Sequence, residues 1–392
     1  MKLLVIPSSL DISQPFSATT AWWMLLKELS ELGVDIIASP YQGPAIESLW
    51  WRSAKNPAKW QGDLFKNVRN IKRKFFPVKN FNNTKKESIS DYLIRKTANN
   101  IIAPLWLSHI DNILKQEQDI DAVIFLTTPL NHLTGIAKEI ITKYHKPVFY
   151  FDWDIPSSLP SMLGFSTGFR IYHGADLSEY TAFIINSIGG VNLLKKMGVK
   201  NIHTLFMATN PDIFKPVNNI GHDIDIFFYG NGREYRDEWI EKMISNPSRN
   251  LPNKRFVVQG RNIGEVGKAE LIQNFGTSKI RNNVCRSKIN LSITRSTQAN
   301  LYGTTPGRPF ELAAMESCTI SNPHNGIELW FEPGKEIFVI NSYEEAIDLY
   351  RYLLNNDAKR LEVGRAARER VLKQHTYRHR AQDLINIIQQ YL

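Results

Sequence analysis

Asp225-Ile226-Phe227-Phe228-Tyr229-Gly230-Asn231-Gly232-Arg233-Glu234-Tyr235-Arg236 is the stretch that decides the fold. A continuous apolar run closed by a glycine turn reads as a strand buried on both faces, not as a half-exposed one. Helical periodicity follows over Tyr235 to Ile244. Strand, glycine turn and helix make the repeating unit of a parallel sheet, and backbone N–H groups at such a turn face an anion in front of it. The third glycine of the dinucleotide fingerprint is missing. Gly230, Asn231 and Gly232 still suit a diphosphate, and Arg233 and Arg236 supply cations to neutralise it.

The same alternation extends in both directions. Leu3 to Pro7, Val34 to Ala38, Ala122 to Leu126, Val148 to Asp152 and Ala182 to Asn186 read as strands. Helical patterns fall at Thr19 to Leu32, Ala103 to Gln116, His132 to Tyr144 and Ser187 to Met197. In the second half Phe256 to Gln259 and Ile289 to Ile293 join the first strand, with helices at Phe310 to Glu316, Tyr343 to Leu354 and Ala358 to Gln374. The pattern predicts an α/β protein of two Rossmann-like, doubly wound domains facing a cleft, with ligands at the carboxyl ends of the strands. The Pro- and Asn-rich segment 210–220 reads as a linker. It divides an N-terminal, acceptor-side domain (1–209, with a basic insertion at about 60–90) from a C-terminal domain (221–375). The final helix, 376–392, is expected to cross back to the first domain.

Gly307-Arg308-Pro309-Phe310-Glu311-Leu312-Ala313-Ala314-Met315 is the second informative stretch. A glycine-proline turn, a cation and one carboxylate open an apolar helix whose positive dipole end suits a phosphate. Glu311, one turn in, is placed to accept hydrogen bonds from sugar hydroxyls. Arg295, Thr304, Thr305 and Phe310 complete the candidate donor-binding set, and together these residues predict a nucleotide-sugar site.

The 392 residues suit two domains, and 43% hydrophobic against 22% charged content is that of a globular chain. Cys285 and Cys318 form no disulfide framework and no metal spacing, which points to a reducing cytosol. The apolar start, Met1 to Pro7, reads as a first strand, and no stretch reaches the length of a membrane span. Net charge is +10, and the cations are uneven: Lys66, Arg69, Lys72, Arg73, Lys74, Lys79, Lys85 and Lys86 follow one another without an acid, interleaved with Phe75, Phe76 and Phe81. This segment reads as a solvated loop, as a contact to an anionic membrane surface, or as a nucleic-acid track. Gly164-Phe165-Ser166-Thr167-Gly168 matches the hydrolase elbow but follows a proline-serine loop, so no serine nucleophile is expected. Gly260 to Lys268 fails the phosphate-loop spacing. His375 and His379 read as a surface helix pair. Asp152-Trp153-Asp154 is too short to argue a metal and reads as strand-end acids.

Taken in order, Asn186-Ser187 through Val217, Asp225 to Gly232, Arg308 to Glu311, Gly326 through Glu336 and Arg368 through Arg380 resemble the CgeB/YkvP-like branch of GT-B glycosyltransferases, relatives of the large retaining group. The resemblance covers the last half of the chain. It implies a metal-independent enzyme that needs no cofactor and moves a sugar from a UDP- or GDP-sugar to an acceptor hydroxyl, with retention. It also implies that Glu311 is the second of a glutamate pair and binds the nucleotide ribose. Seven positions earlier stands Thr304 in place of the first glutamate, which passes the sugar contact to Thr304 and Thr305. The glycine that commonly follows is Glu316 here. The histidine that faces the sugar in relatives is replaced near Trp153-Asp154, so Asp154, with Asp152 second, is the candidate for the acceptor hydroxyl. The acceptor is expected to be an envelope or lipid-linked glycan, alternatively a hydroxymethylated DNA base. A non-catalytic carbohydrate- or nucleotide-binding scaffold is the other alternative.

Overall fold

The computed structural model describes residues 1–13, 19–64, 67, 89–160, 171–233, 235–273 and 276–392. The chain divides into two compact units, Met1–Leu205 with Ala381–Leu392, and Phe206–Arg380.

In the first unit, β1 (Lys2–Pro7), β2 (Asp35–Ala38), β3 (Arg52–Ser53), β4 (Ala122–Leu126), β5 (Val148–Asp152), β6 (Ala182–Ile185) and β7 (Ile202–Thr204) form one sheet in the order β3-β2-β1-β4-β5-β6-β7. Every pairing is parallel. β4 and β5 are buried along their whole length, as continuous apolar runs require when helices cover both faces. Ser187 caps the helix Ile188–Lys196, its Oγ accepting from Gly190 N at 3.0 Å. The expected helix at Ala103 begins earlier and spans Ile89–Gln116, with Pro104 inside it. A buried stripe of Ala98, Ile102, Trp106 and Ile110 carries the helix through the proline, which lies on its exposed side. Within this unit Tyr391 packs edge-on against Phe149 at 5.5 Å, and its hydroxyl meets His203 Nε2 at 2.8 Å.

In the second unit, β8 (Ile224–Asn231), β9 (Phe256–Arg261), β10 (Glu270–Ile272), β11 (Ser287–Ser292), β12 (Thr319–Ser321) and β13 (Phe338–Val339) form a parallel sheet in the order β10-β9-β8-β11-β12-β13. Ile226, Phe228, Ile240, Met243, Ile289, Leu291, Ile320 and Tyr350 are among its core. Strand order reverses between β8 and β11, so the crevice beyond their carboxyl ends is the place where such a sheet receives a ligand. The helix expected from Tyr235 starts only at Asp237, because Tyr235 adopts φ 58° and Arg236 N closes a turn on Arg233 O at 2.8 Å. Residues 210–220 are counted with the second unit; next to them Thr209 pairs with Thr376, and Asn210 Oδ1 accepts from Asp212 N at 2.9 Å. Among the described residues no helix is long and apolar enough to cross a membrane.

Candidate functional site

Three side chains meet beyond the carboxyl ends of β8 and β11. Tyr229, near the end of β8, donates its phenol hydrogen to Glu311 Oε2. The guanidinium of Arg308 lies over the rings of Phe228 and Tyr229, at 5.0 and 5.2 Å, and its Nη1 donates to the Ile293 carbonyl at 2.9 Å. Arg308 Nε is buried with no hydrogen-bond partner among the described residues. Glu311 Oε1 likewise takes no bond from a described residue, while Oε2 is occupied. Arg308 and Glu311 share the short helix Arg308–Ala314, so the cation and the carboxylate are held on one turn.

Glycine is required around this group by contact distances. A Cβ on Gly230 would come within 2.9 Å of Phe228 Cζ and 3.1 Å of Arg308 Nη2. A Cβ on Gly260 would lie 2.3 Å from the Gly230 carbonyl oxygen. Gly232 has φ +77°, a conformation that costs other residues energy, and its N–H donates to Arg261 O at 2.9 Å. The backbone of Asn231 pairs with Arg261 and ends the strand.

Burial governs the charges. It pushes the Glu311 carboxyl above the usual range, opposed by the Tyr229 hydrogen bond and by Arg308. It pushes the Tyr229 phenol well up, and the Glu311 charge adds to this. It lowers Arg308, against the attraction of Tyr229 and Glu311, and the nearby positive charge of Arg295 lowers it further. A half-buried cation and carboxylate side by side favour a ligand that brings both a negative charge and hydroxyl donors.

Other expected donor residues are placed differently. Arg233 pairs with Asp237 and donates through Nη1 to the carbonyls of Ile263 (3.0 Å) and Glu265 (2.5 Å), so it clamps a loop. Arg236 is buried and donates to Ile293 O at 3.1 Å and Gly232 O at 3.4 Å, tying the glycine turn to the end of β11. Arg233 and Arg236 are thus engaged with scaffold carbonyls, while Arg308 keeps an Nε without a hydrogen-bond partner among the described residues. Arg295 precedes the helix Ser296–Ala299. Thr304 and Thr305 are 0% and 1% exposed: the Thr304 carbonyl meets His324 Nε2 at 2.8 Å, and the Thr305 hydroxyl accepts from Met207 N at 2.9 Å. Their side chains face protein, which removes the expected direct contact to a transferred sugar. Phe310 is buried against Trp330, Phe331 and His375, a core role.

In the first unit Asp152 is 0% exposed. Its Oδ2 accepts from Ser158 Oγ at 2.5 Å and Tyr172 OH at 2.7 Å, and its Oδ1 from Asp154 N at 2.8 Å. Burial raises its pKa, against the pull of those three donors. Asp152 therefore shapes the loop after β5, and an acceptor hydroxyl cannot reach it. Asp154 is half-buried, and its carbonyl accepts from Ser158 N at 2.9 Å. Trp153 is buried and stacks on Trp22 at 4.4 Å. The patch of Lys66, Arg69, Lys72, Arg73 and Lys74 lies outside the described residues, as does the Gly164–Gly168 motif; shortly before the patch, Trp60 and Leu64 are 67% and 54% exposed. His375, expected on a surface, is buried at the end of the helix Asp357–Gln374, with Arg380 Nη2 at 2.7 Å from its Nδ1. Among the described residues no three of His, Cys, Asp and Glu gather as a metal site.

Sequence reasoning missed Tyr229 and the Ile293 carbonyl, which accepts from both Arg236 and Arg308. Tyr229 was visible only as the last aromatic of an apolar strand. A polar-tipped aromatic just before a ligand-facing glycine is the signal that marks it.

The model of the glycosyl transferase-like family matches residues 233–386, which include Arg308 and Glu311. Sucrose-phosphate synthase from Thermosynechococcus elongatus has a similar structure, with a TM-score of 0.68, 11% identity and coverage of 100% of this chain and 99% of that one. Trehalose-6-phosphate synthase OtsA gives 0.65 and 12%, covering 100% and 99%. HepE of Anabaena, in complex with UDP-glucose, gives 0.62 and 10%, covering both chains fully. No curated protein matches the chain in sequence. Two parallel-sheet units and these likenesses establish the GT-B fold for the chain, and its residues 233–386 match the glycosyl transferase-like family.

Proposed function

We propose that the protein is a glycosyltransferase that moves a sugar from a UDP- or GDP-sugar to an acceptor hydroxyl, with retention and without a metal. The observation that carries this reading is the Tyr229–Glu311–Arg308 group at the β8/β11 crevice. Glu311 would accept from ribose hydroxyls, and the Arg308 guanidinium would face a diphosphate oxygen. A cation held in place beneath the leaving diphosphate stabilises the charge that develops there. The UDP-glucose bound to HepE favours a uridine donor. Asp154, on the loop that Asp152 shapes, is the residue offered to the acceptor hydroxyl; a general base needs only to reach that proton in the closed complex. The acceptor we favour is an envelope or lipid-linked glycan, which the exposed Trp60 and Leu64 beside the basic stretch would bring to an anionic membrane.

A second reading, a scaffold that binds nucleotide or carbohydrate without turnover, is favoured by Thr304, which replaces a glutamate and is shut off from solvent. A thermal-shift panel of UDP-, GDP- and deoxynucleotide-sugars tests both. A stabilising donor that Glu311→Ala abolishes supports the site, and no binding at all, or unchanged binding in the variant, refutes it. Donor hydrolysis or transfer then separates enzyme from scaffold. Salt-dependent retention on DNA with none on anionic vesicles would move the acceptor to a modified DNA base.

A further inference from the structure

We propose that Tyr229 is a positioning residue that fixes which oxygen of Glu311 faces the nucleotide, and thereby makes the site select ribose over deoxyribose. This rests on the nucleotide-sugar reading of the same site.

A glutamate side chain has three rotatable bonds, and a carboxylate left to itself at a crevice samples many orientations. Here one hydrogen bond removes that freedom. Tyr229 sits on the strand, 82 positions away in sequence, and its hydroxyl takes Oε2. The strand pleat gives it this direction: Phe228 points into the core, while Phe227 and Tyr229 lie on the opposite face with rings 6.2 Å apart and 26° from parallel. The phenol is rigid because its ring is 5% exposed and carries the Arg308 guanidinium at 5.2 Å. Tyr229 thus sets the direction of the carboxylate and, together with Phe228, supports the cation.

The phenol takes one acceptor position of Oε2 and so fixes the direction of the whole carboxylate, whose Oε1 has lone pairs for neighbouring hydroxyls. A ribose offers two such donors and a 2′-deoxyribose offers one. Without the phenol the carboxylate would be free to turn as a whole, and the pair of hydroxyls would no longer be matched to an acceptor of fixed direction. Selectivity for the sugar of the nucleotide is therefore expected to depend on a residue that need not touch the nucleotide.

The experiment is calorimetric titration of UDP, GDP and their 2′-deoxy forms into the full chain, wild type against Tyr229→Phe, Glu311→Gln and the double variant. Wild type is expected to prefer the ribonucleotide by about tenfold or more, the size of one hydrogen bond to a charged acceptor. Tyr229→Phe keeps the ring beneath Arg308, so it should weaken the ribonucleotide about tenfold while leaving the deoxy form within about twofold. In the Glu311→Gln background the same substitution should change the preference little. Equal weakening of both forms would show that Tyr229 is only structural and would overturn the proposal. So would a wild type that binds the diphosphate without discrimination. If neither UDP nor GDP binds wild type, the nucleotide reading itself fails and the proposal falls with it. Tyr229→Met, which removes the hydroxyl with a flexible apolar chain, gives the same ratio test should Tyr229→Phe prove unstable.

Discussion

Replacing Asp152 by alanine tests whether the acid at the end of β5 is a scaffold or part of the chemistry. Its carboxylate satisfies three buried donors: the hydroxyls of Ser158 and Tyr172 and the N–H of Asp154. Each buried donor left unpaired costs about 1–3 kcal/mol. The hydroxyls can turn to other acceptors and the N–H cannot, so a net loss of about 3 kcal/mol is expected. For a unit of this size that corresponds to a fall in melting temperature of about 6–12 °C. Asp152→Asn keeps the shape and an acceptor and should stay within about 1 kcal/mol of wild type. The pH dependence has a definite sign. Burial raises this carboxyl above its unfolded value of about 3.9, so the folded state holds the proton longer. Its contribution to stability is greatest below that pH and falls as pH rises through the window up to the raised value. The Asn variant should lack this slope. Urea denaturation across pH, with donor binding measured on the same samples, gives both readouts. A loss under about 1 kcal/mol for Asp152→Ala would refute the scaffold argument, as would lost donor binding with stability intact.

Gly260→Ala should destabilise the second unit by about 1–3 kcal/mol, the usual cost of overpacking, because its Cβ would stand 2.3 Å from the Gly230 carbonyl and 2.7 Å from Ile263 Cγ1. Denaturant midpoints measure it, and an unchanged midpoint would mean that the β8–β9 approach is looser than described. His375 is held neutral, its pKa lowered to about 3 first by burial and then by Arg380 and Arg370. Stability from this group is complete above the unfolded value of about 6.5 and is lost as pH falls from there toward the lowered value. His375→Asn should flatten the acid limb of the stability profile, and an unaltered limb would contradict the assignment.

The central strands were legible because they are continuous and apolar: Ala122 to Leu126 and Val148 to Asp152 have the bounds that the periodicity gives, whereas the short outer strands Arg52–Ser53, Ile202–Thr204, Glu270–Ile272, Thr319–Ser321 and Phe338–Val339 carry too few apolar residues to be read. Helix Ile89–Gln116 was not, since local rules stop a helix near Pro104 while a tertiary stripe of buried residues carries it on. At the site, Gly230, Arg308 and Glu311 could be picked out from turn and helix chemistry. The division of labour among the arginines could not. Arg233, Arg236 and Arg308 look equivalent in sequence, and only the carbonyls of Ile263, Glu265, Gly232 and Ile293 decide which of them are already engaged. The Tyr229–Glu311 bond was hidden for the same reason, being a contact between residues far apart in the chain.

The discontinuity of the first unit has a consequence for how the protein is made. Residues 206–380 are all translated before 381–392, so the second unit has its residues before the first acquires Tyr391 against Phe149 and His203. Vectorial synthesis would ordinarily favour the N-terminal domain folding first. Here the later-encoded unit has all its parts sooner. A chain cut after Arg380 should carry every residue of the second unit and a first unit that lacks the Tyr391 contacts to Phe149 and His203.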